Sequence, residues 1–412
     1  MADEVVEVEL TGMAHGGSAL GRQAGRMVFI PYAIPGERVR ARIVREKGRS
    51  AFAEGLTLLE ASADRVFPRC PHFGPGRCGR CQWQHIAYPA QLLLKQDVLA
   101  DQLARIGGLD DADVRPVIPS ADQWGYNYQL SFEVLPGGGL GLPAADGGRS
   151  FAIETCHILH PELLALMDAL DLEGIPGLRG VKLQMGSDGG RMVVLLMETE
   201  DAPELLADLP ASVNLLLPDN EPVNLIGDSH VRYTVAGHTL RATAGSAFRG
   251  CVGQLDALAN AVLAGLELRG GEAVLDLYAG VGVFSAAVAR LAGRLTVVES
   301  YPPAVTDADV NLAAYDQVDL IEGAVEDVLG ALDARYDAVI ADPPAAGLSA
   351  AALDGLAALD APRLVYVSGD PASLARDAAR LARAGYRLVY AQPVDLAPQT
   401  FYLDTVAVFQ RR

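Results

Sequence analysis

Three cysteines lie close together in one segment of the chain. Cys70, Cys78 and Cys81 are separated by residues rich in glycine and proline, a backbone that lets several thiolates converge on one centre. In a reducing compartment this pattern indicates a metal site rather than a disulfide pair. Cys156 is the best candidate for a fourth ligand, and Cys251, which follows a glycine, is interpreted as a small buried residue. Four thiolates suit either zinc or a 4Fe–4S cluster, and the spacing does not separate the two.

A second candidate site follows an apolar strand in the C-terminal part of the chain. The segment VLDLYAGVGVF, residues 274–284, joins this strand to a helix through two glycines, and a later strand ends at Glu299. A carboxylate at that place can accept hydrogen bonds from two ribose hydroxyls. The third glycine expected for a pyrophosphate is missing, which favours S-adenosylmethionine (SAM) over a dinucleotide. The alternative is a Rossmann-like domain that binds no cofactor. The segment's residues expected at the cofactor are Asp276, Tyr278, Gly280 and Gly282.

A third feature is the sequence Asp342-Pro343-Pro344 at the end of another apolar strand. An acid followed by two prolines forms a rigid turn, which in this place points into the cofactor crevice. In many methyltransferases the same position faces the methyl acceptor. The alternative is a turn without a functional role.

The elements that position these residues can be read from the hydrophobic pattern. Residues 4–60 alternate apolar and polar positions between glycine turns, which predicts a small β-barrel of the oligonucleotide-binding kind with a basic strand at Arg38–Arg49. A barrel that serves only as a packing module is the alternative. An amphipathic helix is predicted over residues 88–107, and residues 114–245 are predicted to mix strands and helices.

From about residue 255 onward, strands and helices alternate, and this predicts a doubly wound sheet with ligands at the carboxyl ends of its strands. The helices are predicted at 255–268, 283–292, 303–314 and 372–384, and the strands at 273–277, 294–298, 337–341, 363–367, 386–394 and 403–409.

Composition limits the classes of protein. The chain of 412 residues can form two or three domains. No apolar run is long enough for a membrane span, and the acidic start Met1-Ala2-Asp3-Glu4 is unlike a secretory signal, so a cytoplasmic protein is expected. The net charge of −19 by itself argues against a nucleic-acid partner. Basic and acidic residues are balanced over residues 1–60, however, and the acidic excess lies further along the chain.

Taken together, these segments resemble the RNA uracil-5-methyltransferase family over essentially the whole chain. The resemblance rests on the barrel opening at Gly12–Gly21 and 35–38, the cysteine loop with Gln82 and His85, Cys156, the glycine loop, Asp342-Pro343-Pro344, and residues 365–377. It implies an α/β plus β protein with a TRAM barrel over 1–62, a central domain with the cluster loop over 63–246, and a SAM-dependent methyltransferase domain over 247–412.

The resemblance also implies a chemistry and its partners. The substrate would be tRNA or rRNA, with no membrane, and no obligate protein partner is inferred. The metal group would be a 4Fe–4S cluster on Cys70, Cys78, Cys81 and Cys156 rather than zinc. In this family a cysteine thiolate adds to carbon 6 of a flipped-out uracil, carbon 5 takes the methyl group, and a general base removes the carbon-5 proton.

This chain departs from the family pattern around the acceptor. Glycine occupies the nucleophile position, residue 369, so covalent addition from there is impossible. Asp404 stands where the family's base is usually glutamate, and Arg249, also expected near the cofactor, replaces glutamine. Ala345 replaces an arginine, and Asn127-Tyr128 replaces an Arg-Asn pair.

These departures leave several hypotheses open. The first is an RNA-directed SAM-dependent methyltransferase with Asp276, Gly280, Glu299 and Asp342 around the cofactor, altered or inactive for carbon-5 chemistry. Transfer to a nitrogen or oxygen would need no cysteine. The second is a catalytically silent protein that binds SAM, RNA or a partner, in which the cluster has only a structural role. The third is a methyltransferase that acts on a small molecule and binds structural zinc through its cysteines.

Overall fold

The computed structural model describes residues 4–145, 147–201, Pro203, 209–332 and 334–412. Met1, Ala2 and Asp3, which carry part of the acidic N-terminal sequence, lie outside these residues. Among the helices that are described, none is long and apolar enough to cross a bilayer.

The N-terminal sheet is strongly curved. Its strands are β1 (Val5–Glu9), β2 (Gly12–Met13), β3 (Ala19–Gln23), β4 (Arg26–Ile30), β5 (Arg38–Lys47) and β6 (Ser50–Glu60). They are ordered β1-β5-β6-β4-β3-β2, and alternate residues point into a core that includes Val8 and Ile30. The sheet curves until β1 lies directly against β3. The two strands are so close there that a Cβ at Gly21 would lie 2.1 Å from the Glu9 carbonyl oxygen. Only glycine permits this approach.

A long helix connects the N-terminal sheet to the C-terminal sheet. This helix, α1 (Tyr88–Arg105), ends two residues before the predicted boundary at 107. Ala90 and Val98 pack into the core of the N-terminal sheet, whereas Leu99 and Leu103 pack into a core of the C-terminal sheet. The helix therefore fixes the two sheets relative to each other.

The middle of the chain forms a second sheet. Its elements are β7 (Gln129–Val134), β8 (Leu140–Leu142), β9 (Phe151–Ala152), α2 (Pro161–Asp168), β10 (Leu178–Met185), β11 (Arg191–Met197), β12 (Ser212–Leu216) and β13 (Pro222–Ile226). The strand order is β13-β12-β11-β10-β7-β8-β9. A hairpin of β14 (His230–Val235) and β15 (His238–Thr243) then leads to the C-terminal sheet.

The C-terminal sheet has the doubly wound architecture that the alternating pattern predicts. It follows a short 3-10 helix at Val252–Gln254 and contains the elements α3 (Leu255–Leu266), β16 (Ala273–Leu277), α4 (Val283–Ala289), β17 (Arg294–Glu299), α5 (Pro302–Leu312), β18 (Val318–Glu322), α6 (Val325–Leu329), β19 (Ala338–Ala341), α7 (Ala350–Leu359), β20 (Arg363–Ser368), α8 (Pro371–Arg383), β21 (Tyr386–Val394) and β22 (Asp404–Arg411). The order is β18-β17-β16-β19-β20-β22-β21, with β21 and β22 antiparallel to their neighbours.

Two details of this sheet differ from the sequence prediction. The helix predicted at 283–292 ends at Ala289, because the chain must turn so that Gly293 can pack against Gly271. A Cβ on Gly293 would lie 2.5 Å from the Gly271 carbonyl oxygen. The elements β18, α6 and α7 were not predicted. β18 is an edge strand whose residues are all at least partly exposed, so it lacks the continuous apolar run of its neighbours.

Candidate cofactor and acceptor site

The predicted cofactor residues lie at the carboxyl ends of neighbouring parallel strands. β16 is hydrogen-bonded to β17 on one side and to β19 on the other. Asp276 is the fourth residue of β16, Glu299 ends β17, and Asp342 directly follows β19. The three carboxyl groups therefore share one edge of the sheet, which is where doubly wound sheets bind their ligands.

The glycine loop after β16 has a backbone that glycine makes possible. Gly280 and Gly282 have positive φ angles of 56° and 87°, and Gly282 is the N-cap of α4. An added Cβ at Gly280 would find no atom nearer than the Ala247 carbonyl oxygen, at 4.0 Å, so this side of the loop is open. Tyr278, with φ of 60°, adopts the same unusual conformation despite its side chain. Glu299 orders the loop by accepting the Gly280 N–H at 2.8 Å.

Asp276 is fully buried and only half satisfied. Its Oδ2 accepts a hydrogen bond from the Ser285 hydroxyl at 2.5 Å, whereas its Oδ1 has no hydrogen-bond partner among the described residues. Burial raises the pKa of Asp276 to about 7; the Ser285 hydrogen bond opposes this rise, and the charges of Asp342 and Glu299 reinforce it. An unpaired buried carboxylate oxygen is costly unless a ligand completes it.

On the acceptor side, Arg249 bridges Asp404, at the expected base position, and Asp342, which is expected to face the methyl acceptor. Its guanidinium donates to both oxygens of Asp342 at 2.7 Å and to Asp404 at 2.9 Å. Burial raises the pKa of Asp404, although the Arg249 charge opposes this rise. Arg249 was predicted to lie near the cofactor, and the structure places it between the two acids, where it uses three of its donors.

Gly369 lies in the loop that follows β20, the strand next to β19. Its φ is outside the left-handed region, and an added Cβ would meet no described atom within 4 Å. The following residue, Asp370, caps α8 by accepting the Ser373 N–H. Asp370 is also 2.8 Å from Nε2 of His15 in the N-terminal sheet, so this loop joins two domains.

The four cysteines predicted to bind metal line one small cavity. Cys70, Cys78, Cys81 and Cys156 surround it, together with apolar side chains that include Leu142. In the described part of the chain, no three side chains of the metal-binding types are arranged to hold a single metal ion. The structure brings the four predicted cysteines to one cavity, and their role as metal ligands stays a prediction.

The fifth thiol has a different environment. Cys251 is buried, with 4% of its surface exposed, and its Sγ lies 3.9 Å from the Ser120 hydroxyl. Burial raises the pKa of Cys251 to about 12. The expected small buried residue is found, and its thiol is far from the thiolate form that nucleophilic attack requires.

A cleft of about 890 Å³ runs between the N-terminal, central and C-terminal sheets. Residues from all three regions line it, among them Tyr32, Arg80 and Thr400. Phe401 and Tyr402 line it as well, with ring centroids 4.4 Å apart, and Tyr402 is half exposed. The cleft offers aromatic surface for stacking next to the loop that leads to Asp404.

Helix α1 holds the loop that precedes Asp404. Lys95 Nζ donates to Asp395 Oδ1 at 2.6 Å, and both side chains are fully buried. The side chain of Gln91 accepts the Gln399 N–H at 2.9 Å. Sequence reasoning missed these residues, although charged side chains within an apolar helix pattern are a signal that could have found them.

The arginines of the predicted basic strand are largely neutralised. On β5, Arg38 pairs with Glu60 and Glu7, Arg40 with Glu7, and Arg42 with Glu54. These exposed pairs leave little free positive charge on the first half of the strand. The predicted basic strand is present, and acids on β1 and β6 pair with the arginines of its first half.

Comparisons with known proteins agree with this architecture. A family model described as TRAM domain matches residues 2–56, and one described as methyltransferase small domain matches residues 246–355. An uncharacterised RNA methyltransferase of Streptomyces avermitilis is 34% identical over 99% of this chain and 98% of its own length. One of Halalkalibacterium halodurans is 33% identical over 99% of this chain and 97% of its own length. The chain belongs to the family of TRAM-containing RNA methyltransferases.

The fold of this RNA methyltransferase family member also matches a solved structure over nearly its whole length. The match is tRNA (uracil-54, C5)-methyltransferase of Pyrococcus abyssi in complex with S-adenosyl-L-homocysteine, with a TM-score of 0.75. The alignment covers 98% of this chain and 100% of that chain at 20% identity, so the likeness concerns the fold. The predicted fold class and family resemblance are confirmed, whereas the domain boundaries at 62 and 246 stay predictions.

Proposed function

We propose that the protein is a SAM-dependent RNA methyltransferase of the tRNA or rRNA uracil-5-methyltransferase type that does not methylate carbon 5 by the covalent route. The observation that carries this proposal is the crevice itself. Its cofactor side is open beside Gly280, whereas its acceptor side has glycine at residue 369 and Arg249 between Asp342 and Asp404.

The cofactor side fits SAM. When bound, SAM supplies an electrophilic methyl group next to a sulfonium and carries a positively charged amino group. Asp276 offers a buried carboxylate oxygen with no hydrogen-bond partner among the described residues, which suits a cationic donor. Gly280 leaves the loop open for a close approach, and Glu299 is placed for ribose hydroxyls. We propose that Tyr278, Gly282 and Asp342 complete this pocket.

The residues on the acceptor side support the proposal that methyl transfer to carbon 5 of uracil is lost or replaced by another reaction. Carbon 5 of uracil is a weak nucleophile and needs a thiolate at carbon 6, which residue 369 does not provide. Cys251 is buried and its pKa is raised to about 12, so it is not a ready substitute. Transfer to a nitrogen or oxygen of RNA requires orientation beside the methyl group but no covalent adduct.

The Arg249 bridge favours a second candidate function, a catalytically silent protein that binds SAM and RNA. A general base must be free to accept a proton, and Asp404 already accepts a hydrogen bond from Arg249 at 2.9 Å. In that case the three-domain cleft would hold RNA without transfer. Product analysis separates the two functions.

The test uses the full-length protein with labelled SAM and total RNA from a strain that lacks the gene, followed by nucleoside mass spectrometry. Methylation at a nitrogen or oxygen supports the first function. SAM and RNA binding without any product supports the second. A 5-methyluridine product contradicts the proposal, and failure to bind SAM contradicts both functions.

A matched variant tests the role of residue 369 directly. Gly369→Cys has room for its side chain, because an added Cβ meets no described atom within 4 Å. The thiol should then form a covalent adduct with RNA that contains 5-fluorouracil, whereas the wild type should form none. An adduct with the wild type would show that another thiol serves as nucleophile, and Cys251→Ser would identify it.

We also propose that Cys70, Cys78, Cys81 and Cys156 hold a 4Fe–4S cluster, with zinc as the alternative. Four thiols around one cavity support a thiolate-held group by number and type, and the absence of any three described side chains arranged to hold a single metal ion favours the cluster over zinc. The bound cluster would cross-link the cysteine loop to the segment between β9 and α2. Anaerobically purified protein should contain about four iron atoms per chain. Cys81→Ser should lose the iron, whereas Cys251→Ser should keep it. A colourless protein that contains one zinc per chain would contradict the proposal of a 4Fe–4S cluster.

A further inference from the structure

The turn between β2 and β3 reaches the loop that carries residue 369. His15 lies in this turn, and its Nε2 is 2.8 Å from Oδ2 of Asp370. Because a carboxylate only accepts hydrogen bonds, the imidazole is the donor. Both side chains are largely buried, with 30% and 28% of their surfaces exposed. The hydrogen bond joins residues that are 355 positions apart in the chain, so it connects the N-terminal sheet to the acceptor side of the crevice.

The turn that carries His15 is itself fixed against the rest of the protein. Trp83, which is buried, donates from Nε1 to the Gly17 carbonyl oxygen at 3.1 Å. A Cβ on Gly17 would lie 2.8 Å from Cδ1 of Phe401 and 3.0 Å from the Trp83 Nε1, so the turn packs directly against both rings. His15 therefore meets Asp370 from a well-supported backbone.

Residue 369 depends on its neighbours for its position. Gly369 has no side chain to pack, and glycine leaves the backbone more conformational freedom than other residues do. The Ser368 hydroxyl spans it by donating to the Asp370 carbonyl oxygen at 2.9 Å and accepting the Asp370 N–H at 3.2 Å. Oδ1 of Asp370 accepts the Ser373 N–H at 2.7 Å, and Oδ2 accepts from His15. One oxygen thus binds the protein's own helix α8, and the other binds the N-terminal sheet.

The helix that Asp370 caps also holds the second loop of the proposed acceptor side. Asp377 in α8 is fully buried, and its Oδ2 accepts the Leu348 N–H at 2.8 Å. Arg376 Nη2 donates to the Ala346 carbonyl oxygen at 2.8 Å. Both partners lie in the loop that follows the two prolines after β19. Helix α8 is therefore bonded to both loops, and Asp370 at its start is the residue that the N-terminal sheet contacts.

We propose that His15 is a positioning residue for the acceptor side, which fixes residue 369 and the first turn of α8 through Asp370. A hydrogen bond to a carboxylate contributes more than one between neutral groups, and this one restrains a loop that has no side chain at its centre. The N-terminal sheet thereby acts on the crevice directly, apart from any contact that it makes with RNA. The inference rests on the proposed function only in assigning this loop to the methyl acceptor.

The test measures hydrogen–deuterium exchange of the full-length protein by mass spectrometry. His15→Ala should speed the exchange of amides in residues 369–374 about tenfold, because opening this loop no longer breaks the hydrogen bond to Asp370. Amides of β16 should exchange as in the wild type. His15→Gln keeps an N–H donor of similar reach and should restore most of the protection. Thr11→Ala, which changes an exposed side chain between β1 and β2, is the matched control and should have no effect.

A second measurement separates positioning from cofactor binding. His15→Ala should bind SAM like the wild type in calorimetry, because the contact lies on the acceptor side. If the wild type methylates RNA, the rate at saturating SAM and RNA should fall about tenfold in His15→Ala, since the acceptor loop is less well placed, and should recover in His15→Gln.

Unchanged exchange of residues 369–374 in His15→Ala would overturn the inference, and so would an equal acceleration in β16, because the loss would then be general. Acceleration in His15→Gln as large as in His15→Ala would assign the effect to packing of the turn, which also overturns it. Weaker SAM binding by His15→Ala, or an unchanged transfer rate, would contradict a role in positioning the acceptor side. A wild type that binds no SAM would contradict the proposed function, whereas the exchange result would still decide whether His15 fixes this loop.

Discussion

The two sides of the catalytic crevice satisfy their polar groups in different ways. On the cofactor side, Asp276 keeps one buried oxygen without a hydrogen-bond partner among the described residues, and Gly280 leaves room beside the loop. On the acceptor side, the Arg249 guanidinium donates hydrogen bonds to the carboxylates of Asp342 and Asp404. A ligand could supply the missing hydrogen bond on the cofactor side, whereas on the acceptor side the protein itself supplies a cation for both carboxylates. The proposed cofactor side therefore keeps a polar atom and space for a ligand, whereas the proposed acceptor side is an ion-pair network within the protein.

The strongest test of the acceptor side concerns its support by helix α1. Lys95→Met leaves Asp395 buried without its cation, so we expect the free energy of unfolding to fall by about 3–5 kcal/mol. Urea denaturation measures this loss. Adding Asp395→Asn to Lys95→Met should recover part of it, because the unpaired charge is gone. A loss below about 1 kcal/mol would contradict the view that this pair holds the loop before Asp404.

The cofactor side is tested by removing its unsatisfied carboxylate. Asp276→Ala should weaken SAM binding about 10- to 100-fold, since a hydrogen bond to a charged group is lost. Isothermal titration calorimetry gives the dissociation constant. Asp309→Ala, which removes an exposed acid from α5, is the control and should bind like the wild type. An unchanged affinity of Asp276→Ala for SAM would contradict the proposal that this carboxylate contacts the cofactor.

Arg249→Gln opens the acceptor network. Asp342 and Asp404 then lose their shared cation, and we expect the free energy of unfolding to fall by about 1–2 kcal/mol at pH 8, less than for a fully buried pair because all three side chains are partly exposed. The loss should shrink as the pH falls, because burial raises the pKa of Asp404 and a protonated Asp404 no longer needs the cation. Arg105→Gln, from an exposed pair with Asp101, should change stability by less than about 0.5 kcal/mol.

The smallest effect concerns the pH dependence of SAM binding. The pKa of Asp276 is raised to about 7, so below that pH the group is mostly neutral and must ionise to meet a cationic ligand. SAM affinity should therefore rise with pH, by about threefold between pH 6.5 and 7.5. Asp276→Asn should bind more weakly and show no such rise. A wild-type affinity that is flat over this range would argue against a contact between SAM and this carboxylate.

Part of the site could be predicted because parallel strands share an edge. Asp276, Glu299 and Asp342 each end or follow an apolar strand, so their meeting follows from the strand order of a doubly wound sheet. The four cysteines were grouped from residue type, and the structure places all of them around one cavity. The edge strand β18 escaped prediction because its exposure breaks the apolar pattern on which the prediction depends.

The sequence by itself determined the fold class, the family resemblance, the strand ends that carry the proposed cofactor site, and the absence of a side chain at residue 369. These follow from local periodicity and residue type, which every copy of the chain carries. Only the tertiary structure decided that Arg249 bridges Asp342 and Asp404, that Lys95 meets Asp395, and that His15 meets Asp370. Such partners are distant in sequence, and packing and strand register choose them, which no local pattern encodes.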